Sequence, residues 1–338
     1  MMIRKRNRLV LHFLRISIVL LFLVFGSESL SQNLKCAEIE LPREIPAIND
    51  LLIKNSKLYL ATAQGLYVRT DTTFKRIFDP SAKESYRINT IATDRAGNLW
   101  FGTYSGLLVQ FSGNSILSQM DLKPFSESDN YLISSISIDT TVKNKNTEIL
   151  LSMSGGELFG YDTLTQNIKK YESPVPGTIF SFNYGIQPLK WLCTADGFYT
   201  LKRRMKWKKK ADFFAVYQVI ENNGKFWGIG RNKDNEAMLT LYYDDEYYQK
   251  HFTWKEFDLT QLGNKYAKFN ELAFTDPEIA WIASDIGLLR YNPIFATLDE
   301  YSKVNGVNLK SLKHIAVESN HVIWVSSSGR KLVRIELE

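Results

Sequence analysis

The chain is poor in the residues that carry catalytic and redox chemistry. Its 338 residues include only two cysteines and four histidines, too few cysteines for a disulfide scaffold. No zinc-ligand spacing, phosphate-binding loop or Gly-x-Ser-x-Gly motif occurs. The sequence therefore predicts no catalytic residue, no metal ligand and no cofactor, and it favours a binding function over an enzyme.

A long apolar run is also missing. The run at 16–25 spans ten residues, too few to cross a bilayer. Basic residues precede it at 4–8 and small polar residues follow it at 27–31. This order predicts a secretory signal peptide over 1–31, with an uncleaved anchor as the alternative. We expect an exported protein, periplasmic or at the cell surface, with a single domain over 32–338.

The net positive charge is small once the N-terminus is set aside. The formal net charge is +6, and residues 1–31 carry five basic and one acidic side chain, which leaves +2 for the rest. Nucleic-acid binding usually requires a strongly basic surface. We therefore predict no nucleic-acid partner.

What the chain does contain is a repeat. Residues 88–107 read INTIATDRAGNLWFGTYSGL, which is a β run, an Asp-x-x-Gly turn, a second β run and a second turn with glycine. Residues 269–291 repeat this layout. A large residue in the second strand marks each unit, and glycine follows six positions later in five units. The seven marker positions are Tyr59, Trp100, Leu150, Trp191, Trp227, Trp281 and Trp324.

Seven units of short strands, 36 to 54 residues apart, predict an all-β fold, a seven-bladed β-propeller. A β-sandwich fits poorly because it has no seven-fold repeat. The last unit lacks a fourth strand, whereas a lone strand-like run precedes the first unit at 36–41. We expect this N-terminal strand to close the last blade, since closure removes exposed sheet edges.

The units resemble the propeller repeats in periplasmic sensor regions of bacterial two-component regulators. The resemblance rests on DRAGNLWFGT at 94–103, SGL at 105–107, WLCTADGF at 191–198 and WIASDIGLL at 281–289. It implies a sensor propeller that binds a ligand. In that family a further β domain, a membrane span and a kinase usually follow, so we expect a free-standing propeller or a sensor without its output.

The resemblance also suggests where a ligand binds. The face that carries the turns between second and third strands, together with the starts of the first strands, is the usual binding face of propellers. The alternative is that asparagine and serine cap strand ends and that aspartate before glycine only makes a turn. The predicted binding residues on this face are Asn49, Gln64, Asn89, Tyr104, Ser105, Ser134, Asp196, Asn270 and Asp285.

The densest charge is KRRMKWKKK at 202–210, predicted on the outer rim of blade four. Lys206, Lys208 and Lys209 could contact an anionic partner such as lipid headgroups or an acidic glycan, or they could protect a solvated edge strand. Cys36 and Cys193 are expected in different blades and unbridged. Cys36 is an alternative lipidation site, so a membrane is expected only through the signal peptide or a lipid anchor.

Three function classes follow from these features. The first is a ligand sensor whose partner is an unidentified small molecule, a glycan among the options, or an envelope protein. The second is a scaffold in an envelope or secretion assembly. The third is a lyase, because propellers that resemble virginiamycin lyases use a metal and a histidine base, and His314 is the histidine expected to face the channel.

Overall fold

The structure is a computed structural model. It describes residues 33–79, 86–113, 115–139, 148–184, 190–201, 206–211, 213–223, 225–244, 252–276, 279–327 and 329–338. Lys35–Leu337 forms one compact unit. The predicted signal peptide, 1–31, lies outside the described residues.

The described residues of this unit form seven antiparallel four-stranded sheets and one short hairpin. Each sheet is one blade, and its strands follow one another in chain order, apart from the closing strand of blade seven. Blades one to three are β2 (Ile48–Lys54), β3 (Lys57–Thr62), β4 (Gly65–Thr70) and β5 (Thr73–Phe78); β6 (Ile88–Thr93), β7 (Leu99–Thr103), β8 (Leu107–Ser112) and β9 (Ser115–Asp121); and β10 (Ile133–Ile138), β11 (Glu148–Met153), β12 (Leu158–Asp162) and β13 (Ile168–Tyr171).

The other four blades repeat this order, and the first strands of all seven contact one another in a closed circle. Blades four to six are β14 (Ile179–Tyr184), β15 (Lys190–Thr194), β16 (Gly197–Leu201) and β17 (Lys208–Ala211); β18 (Ala215–Asn222), β19 (Lys225–Arg231), β20 (Ala237–Asp244) and β21 (Phe252–Glu256); and β22 (Phe269–Phe274), β23 (Ala280–Ser284), β24 (Leu288–Asn292) and β25 (Thr297–Tyr301). Blade seven holds β28 (Leu312–Ser319), β29 (Val322–Ser327), β30 (Leu332–Leu337) and, at its outer edge, β1 (Leu34–Ile39).

The predicted fold and its closure are confirmed. The N-terminal strand β1 pairs beside β30, the last strand of the chain. The edge of β30 is thereby covered by a strand from the opposite end of the sequence. A hairpin between blades six and seven, β26 (Lys303–Val304) and β27 (Val307–Asn308), and a short 3-10 turn at Lys123–Phe125 were not predicted.

The second-strand markers fill the space between blades. The five tryptophans among them are at most 2% exposed, and Trp227 stacks on Phe257 with ring centroids 5.3 Å apart. Leu150 is buried and Tyr59 is half-buried. Since a buried aromatic removes roughly 150–250 Å² from water, these side chains are a main source of cohesion between blades.

The repeated glycine has a backbone reason. It lies at or beside the turn between the second and third strands, where φ is positive, a region that side chains with a Cβ disfavour. The φ angles of Gly65, Gly106, Gly156, Gly197 and Gly287 run from +84° to +159°. In blade five a longer turn takes this place, and Asn235 supplies the positive φ.

Candidate ligand site in the axial channel

The seven first strands enclose a cavity of about 830 Å³ on the propeller axis. Every blade contributes to its wall. The first strands begin at the face that carries the turns between second and third strands, because the first residue of β2 pairs with the last residue of β3, and the other blades do the same. One end of the cavity therefore lies at the face that the sequence predicted for binding.

A β-bulge recurs near the start of every first strand. The register shifts between the first and third residues in six blades, as between Ile88 and Thr90 in β6, and between the second and fourth residues of β18 in blade five. A bulge turns two consecutive side chains toward one side of a sheet. The cavity wall consequently has two rings of side chains. The entrance ring is Asn49, Asn89, Ser134, Phe180, Tyr217, Asn270 and Lys313, and the bulge ring is Asp50, Thr90, Ser135, Ser181, Gln218, Glu271 and His314.

The entrance-ring asparagines join neighbouring blades. Asn49, Asn89 and Asn270 each donate from Nδ2 to the carbonyl oxygen of the first residue in the next blade's first strand, over 2.7, 3.0 and 2.6 Å. Within the described part of the chain, no group donates a hydrogen bond to the amide oxygen of these three side chains. Their structural role thus uses the amide nitrogen and leaves the oxygen as an acceptor at the cavity.

Side chains of the bulge ring also join neighbouring blades, but they accept hydrogen bonds from the next blade instead of donating them. Gln218 Oε1 accepts from Leu272 N over 2.8 Å, and Glu271 Oε2 accepts from Ile315 N over 3.0 Å. Asp50 Oδ2 accepts the equivalent bond from the next blade over 2.9 Å, and Ser135 Oγ does so over 3.3 Å. A polar side chain is needed here because the first strand is the inner edge strand of its sheet, so this backbone N–H has no partner in its own blade.

The charged groups of the bulge ring lie together. His314 Nδ1 is 3.3 Å from Glu271 Oε2 and 3.9 Å from Asp50 Oδ1. Burial lowers the pKa of His314, but the hydrogen bond and charge of Glu271 and the charge of Asp50 outweigh burial, so the pKa lies above its ordinary value. Lys313 acts against this rise.

The charged form of Asp50 is disfavoured at its position in the wall. Burial raises its pKa to about 6. The charge of His314 and the hydrogen bonds from Ile91 and Thr90 act in the lowering direction, whereas the charge of Glu271 adds to the rise. One segment of the wall, made by blades six, seven and one, therefore holds two carboxylates and one imidazole.

An aromatic pair forms another segment of the wall. Phe180 and Tyr217 meet edge to face with ring centroids 4.9 Å apart. Lys268 Nζ lies 6.0 Å from the centre of the Tyr217 ring. The cavity thus offers carboxylates and an imidazole on one segment, aromatic surface on another, and hydroxyl and amide groups elsewhere.

Four of the nine predicted binding residues lie together in the cavity wall, namely Asn49, Asn89, Ser134 and Asn270. Ser134 Oγ also bonds within its own blade, to Ser152 O over 3.1 Å. The other five lie outside the cavity wall, on the surrounding turns. These are Gln64, Tyr104, Ser105, Asp196 and Asp285.

The turn residues have structural partners of their own. Asp285 Oδ1 accepts from Lys268 N over 2.8 Å, and the ring of Tyr104 lies under the guanidinium of Arg87 at 4.9 Å. Asp196 accepts from Tyr199 and pairs with Lys209 Nζ. Ser105 and Gln64 bond to threonines at the ends of second strands, Ser105 through Oγ and Gln64 through its backbone N–H.

The lysine patch lies on the outer rim, as predicted. Lys208 and Lys209 belong to β17, the outermost strand of blade four, and Lys206 precedes it, exposed. Lys209 Nζ lies 3.2 Å from Asp196 Oδ1. This ion pair connects the rim to the turn face but leaves the patch outside the cavity.

The bulge ring was missed from sequence. The binding residues predicted on the first strands were only Asn49, Asn89, Ser134 and Asn270, and the prediction did not extend to the residue that follows each of them. Its polar character in all seven units, from Asp50 to His314, was the available signal. The sequence also offered no metal ligand, whereas the structure places donor atoms of Asp50, Glu271 and His314 within 4.8 Å of one another.

Comparisons with known proteins agree with this architecture. A family model described as two component regulator propeller matches residues 83–105. The chain therefore contains a two-component regulator propeller repeat. The resemblance recognised in the sequence is confirmed. No curated protein sequence matches the chain.

Solved structures share the fold at low sequence identity. An extracellular domain assigned to a hybrid two-component system of B. thetaiotaomicron has a TM-score of 0.68 at 14% identity, covering 89% of this chain and 39% of that one. A second such domain from B. thetaiotaomicron has a TM-score of 0.67 at 16% identity, covering 90% and 41%. The present chain thus spans about two fifths of those two domains.

The same fold also occurs in an enzyme. Virginiamycin B lyase from Staphylococcus aureus has a TM-score of 0.68 at 11% identity, covering 90% of this chain and 100% of that one. At these identities the likeness concerns the fold alone.

In the described residues no helix has the length and apolar character needed to span a bilayer.

Proposed function

We propose that this chain is an exported binding propeller that takes a small ligand in its axial cavity and acts as a sensing module. The observation that carries the proposal is the composition of the cavity wall. Amide oxygens of the entrance ring have no protein donor among the described residues, and an aromatic pair lies in the same wall. Concave sites with few placed polar groups and aromatic surface are typical ligand sites.

The ligand class that fits this wall carries several hydroxyl or amide hydrogens. Carbonyl, carboxylate and hydroxyl acceptors of the two rings would bind these hydrogens, and the edge-to-face pair Phe180 and Tyr217 would contact an apolar face. An oligosaccharide end has both features. The exported location in this proposal is supported by the basic and apolar N-terminus, which has the composition of a signal peptide.

The proposal is tested by a substitution that fills the cavity with a larger side chain. Ala92 lines the cavity, and Leu52 occupies the equivalent position in blade one, so a larger apolar residue is compatible with this site. Ala92→Phe should leave the fold intact and abolish ligand-induced thermal stabilisation in a screen of neutral and acidic oligosaccharides. Tyr104→Ala on the turn face serves as the matched variant outside the cavity.

Two other outcomes would redirect the proposal. Capture of an envelope protein that is lost in a Tyr104→Ala, Asp285→Ala double variant but kept in Ala92→Phe would place binding on the turns and favour a scaffold. Capture that depends instead on Lys206, Lys208 and Lys209 and falls steeply with salt would assign it to the outer rim. Either result would contradict the cavity as the site.

A lyase is the second candidate because His314 pairs with Glu271 at the cavity, an arrangement that can serve a general base. The test is whether the wild type and the His314→Gln variant turn over substrates from which a lyase would form an unsaturated product. Turnover that disappears in the variant would favour the lyase over the sensor.

A further inference from the structure

Three charged donors meet in the cavity wall, although they are far apart in sequence. Asp50 lies in blade one, Glu271 in blade six and His314 in blade seven, and the closed ring makes these blades neighbours. One oxygen from each carboxylate and one imidazole nitrogen lie within 4.8 Å of one another. The side chains are 19%, 25% and 24% exposed, so solvent in the cavity reaches them.

The structural role of this position does not require charge. Gln218, at the same position in blade five, accepts the backbone N–H of the next blade as Glu271 does. Ser135 fulfils the role with a hydroxyl. Two carboxylates beside an imidazole therefore exceed what the fold needs, and burying like charges together costs free energy.

We propose that Asp50, Glu271 and His314 bind a divalent transition-metal cation such as Zn²⁺ through two carboxylate oxygens and one imidazole nitrogen. Zinc sites use imidazole nitrogen and carboxylate oxygen at about 2.0–2.2 Å, which places ligand atoms roughly 3.4 Å apart in a tetrahedral site. The separations of 3.3 and 3.9 Å between His314 Nδ1 and the two carboxylate oxygens bracket that value. A small inward movement of Asp50 completes the geometry.

Charge balance supports the cation. With a protonated imidazole the three groups carry a net charge of −1, and with a neutral imidazole and a divalent ion they carry none. Burial of charge is tolerated when it is compensated. Lys313, on the same strand as His314, is the one basic group of the cavity wall in the described residues that opposes the ion.

The site has room for an exogenous ligand. In the described residues, no hydrogen-bond donor contacts Glu271 Oε1, and the fourth coordination position opens into the cavity of about 830 Å³. Three protein ligands and one open position are typical of metal sites that bind a further molecule. The inference does not depend on the proposed function, because the metal site forms from the chain alone.

The experiment is a calorimetric titration of the purified full chain with Zn²⁺, with Mg²⁺ and Ca²⁺ as separate titrants. We expect one Zn²⁺ per chain and weak or absent Mg²⁺ and Ca²⁺ binding, since those ions prefer oxygen ligands. His314→Gln and Glu271→Gln should each weaken Zn²⁺ binding by at least about tenfold. Glu271→Gln keeps an acceptor for Ile315 N. His321→Gln, which alters an exposed histidine at a hairpin turn, should bind as the wild type does.

Two readouts protect the test against variants that fail to fold. Zn²⁺ should raise the melting temperature of the wild type, because the site exists only in the folded chain. Co²⁺ should give visible absorption of a low-symmetry nitrogen and oxygen site. Absence of Zn²⁺ binding in the millimolar range, or unchanged binding in both folded variants, would overturn the proposal. The three groups would then be an ion-paired cluster of a protonated imidazole with two carboxylates. The titrations contain no organic ligand, so failure here leaves the oligosaccharide screen unaffected.

Discussion

The indole Nε1 of Trp100 donates to Asp94 Oδ2 over 2.9 Å, across the turn between the first and second strands of blade two. The same spacing of six residues recurs in other blades. Trp281 donates to Thr275 and Trp324 donates to Glu318. Each marker tryptophan in these blades is thus tied by its nitrogen to the hairpin that precedes it, while its rings fill the space between blades.

The first prediction concerns Asp94. Its carboxylate also accepts from the backbone and side-chain nitrogens of Asn98 over 2.8 and 2.9 Å. Asp94→Ala leaves the buried indole nitrogen without its partner and should lower the free energy of unfolding by about 1–3 kcal/mol. Asp94→Asn keeps an acceptor and should cost less. Chemical denaturation of both variants checks this, and exposed Asp129→Ala should be neutral. Equal losses in the alanine and asparagine variants would show that the hydrogen bonds are not the cause.

The second prediction concerns a buried charge between blades three and four. Lys190 Nζ lies 2.6 Å from Glu148 Oε2, and Tyr171 donates to Oε1 over 2.5 Å. Burial raises the pKa of Glu148, but the hydrogen bonds from Lys190 and Tyr171 outweigh burial, so the pKa lies below its ordinary value. The charged form is thus held by its partners.

Lys190→Met removes the cation and keeps the apolar stem of the side chain. It should lower the free energy of unfolding by about 1–3 kcal/mol, since a largely buried carboxylate loses its counter-charge. Lys57→Met, on an exposed residue of blade one, provides the comparison. A loss of equal size in both variants would contradict the role of Glu148.

The third prediction is a pH dependence of stability. The pKa of Asp50 rises to about 6 in the folded chain from an ordinary value of 3.8, and that of His314 rises above 6.5. At these two groups the folded state therefore binds more protons than the unfolded state, and their contribution to stability falls as pH increases. Asp50 accounts for the loss of stability between about pH 4 and 6. The stabilising contribution of His314 is fully present below the pKa of the unfolded chain, and it disappears as the pH rises through the pKa of the folded chain.

Urea unfolding from about pH 4 to 8 measures this dependence. Asp50→Asn should flatten the slope in the lower part of the range, and His314→Gln should flatten it in the upper part. Because the comparison is between variant and wild type, titration of other groups cancels. Slopes that stay the same in both variants would count against the charged cluster as its source.

The fold could be predicted because its signals are local. The turn at Asp94, the tryptophan six residues later and the glycine after the second strand all lie within one unit. The bulge ring could not be predicted in the same way. In a regular strand Thr90 would share the side of Ile88, since side chains alternate, and only the bulge between them brings it into the channel wall.

The charged cluster was hidden for a different reason. Asp50 and His314 are separated by most of the chain, and only the closed circle of blades makes them neighbours. No spacing rule for metal ligands covers such a separation. The polar residue near the start of each first strand was visible in the sequence. Its position in the channel wall depends on a register shift that the sequence does not predict.

The last prediction tests the closure of the ring. Strand β1 (Leu34–Ile39) covers the outer edge of β30, and its Leu34 is buried. A chain that begins at residue 40 leaves that edge unpaired and should melt at least roughly 5 °C lower than a chain that begins at residue 32. The exposed edge should also promote association, visible as faster elution in size-exclusion chromatography. If the two chains melt together and both elute as monomers, the N-terminal strand contributes nothing to the stability of blade seven, and the ring is held by its first strands alone.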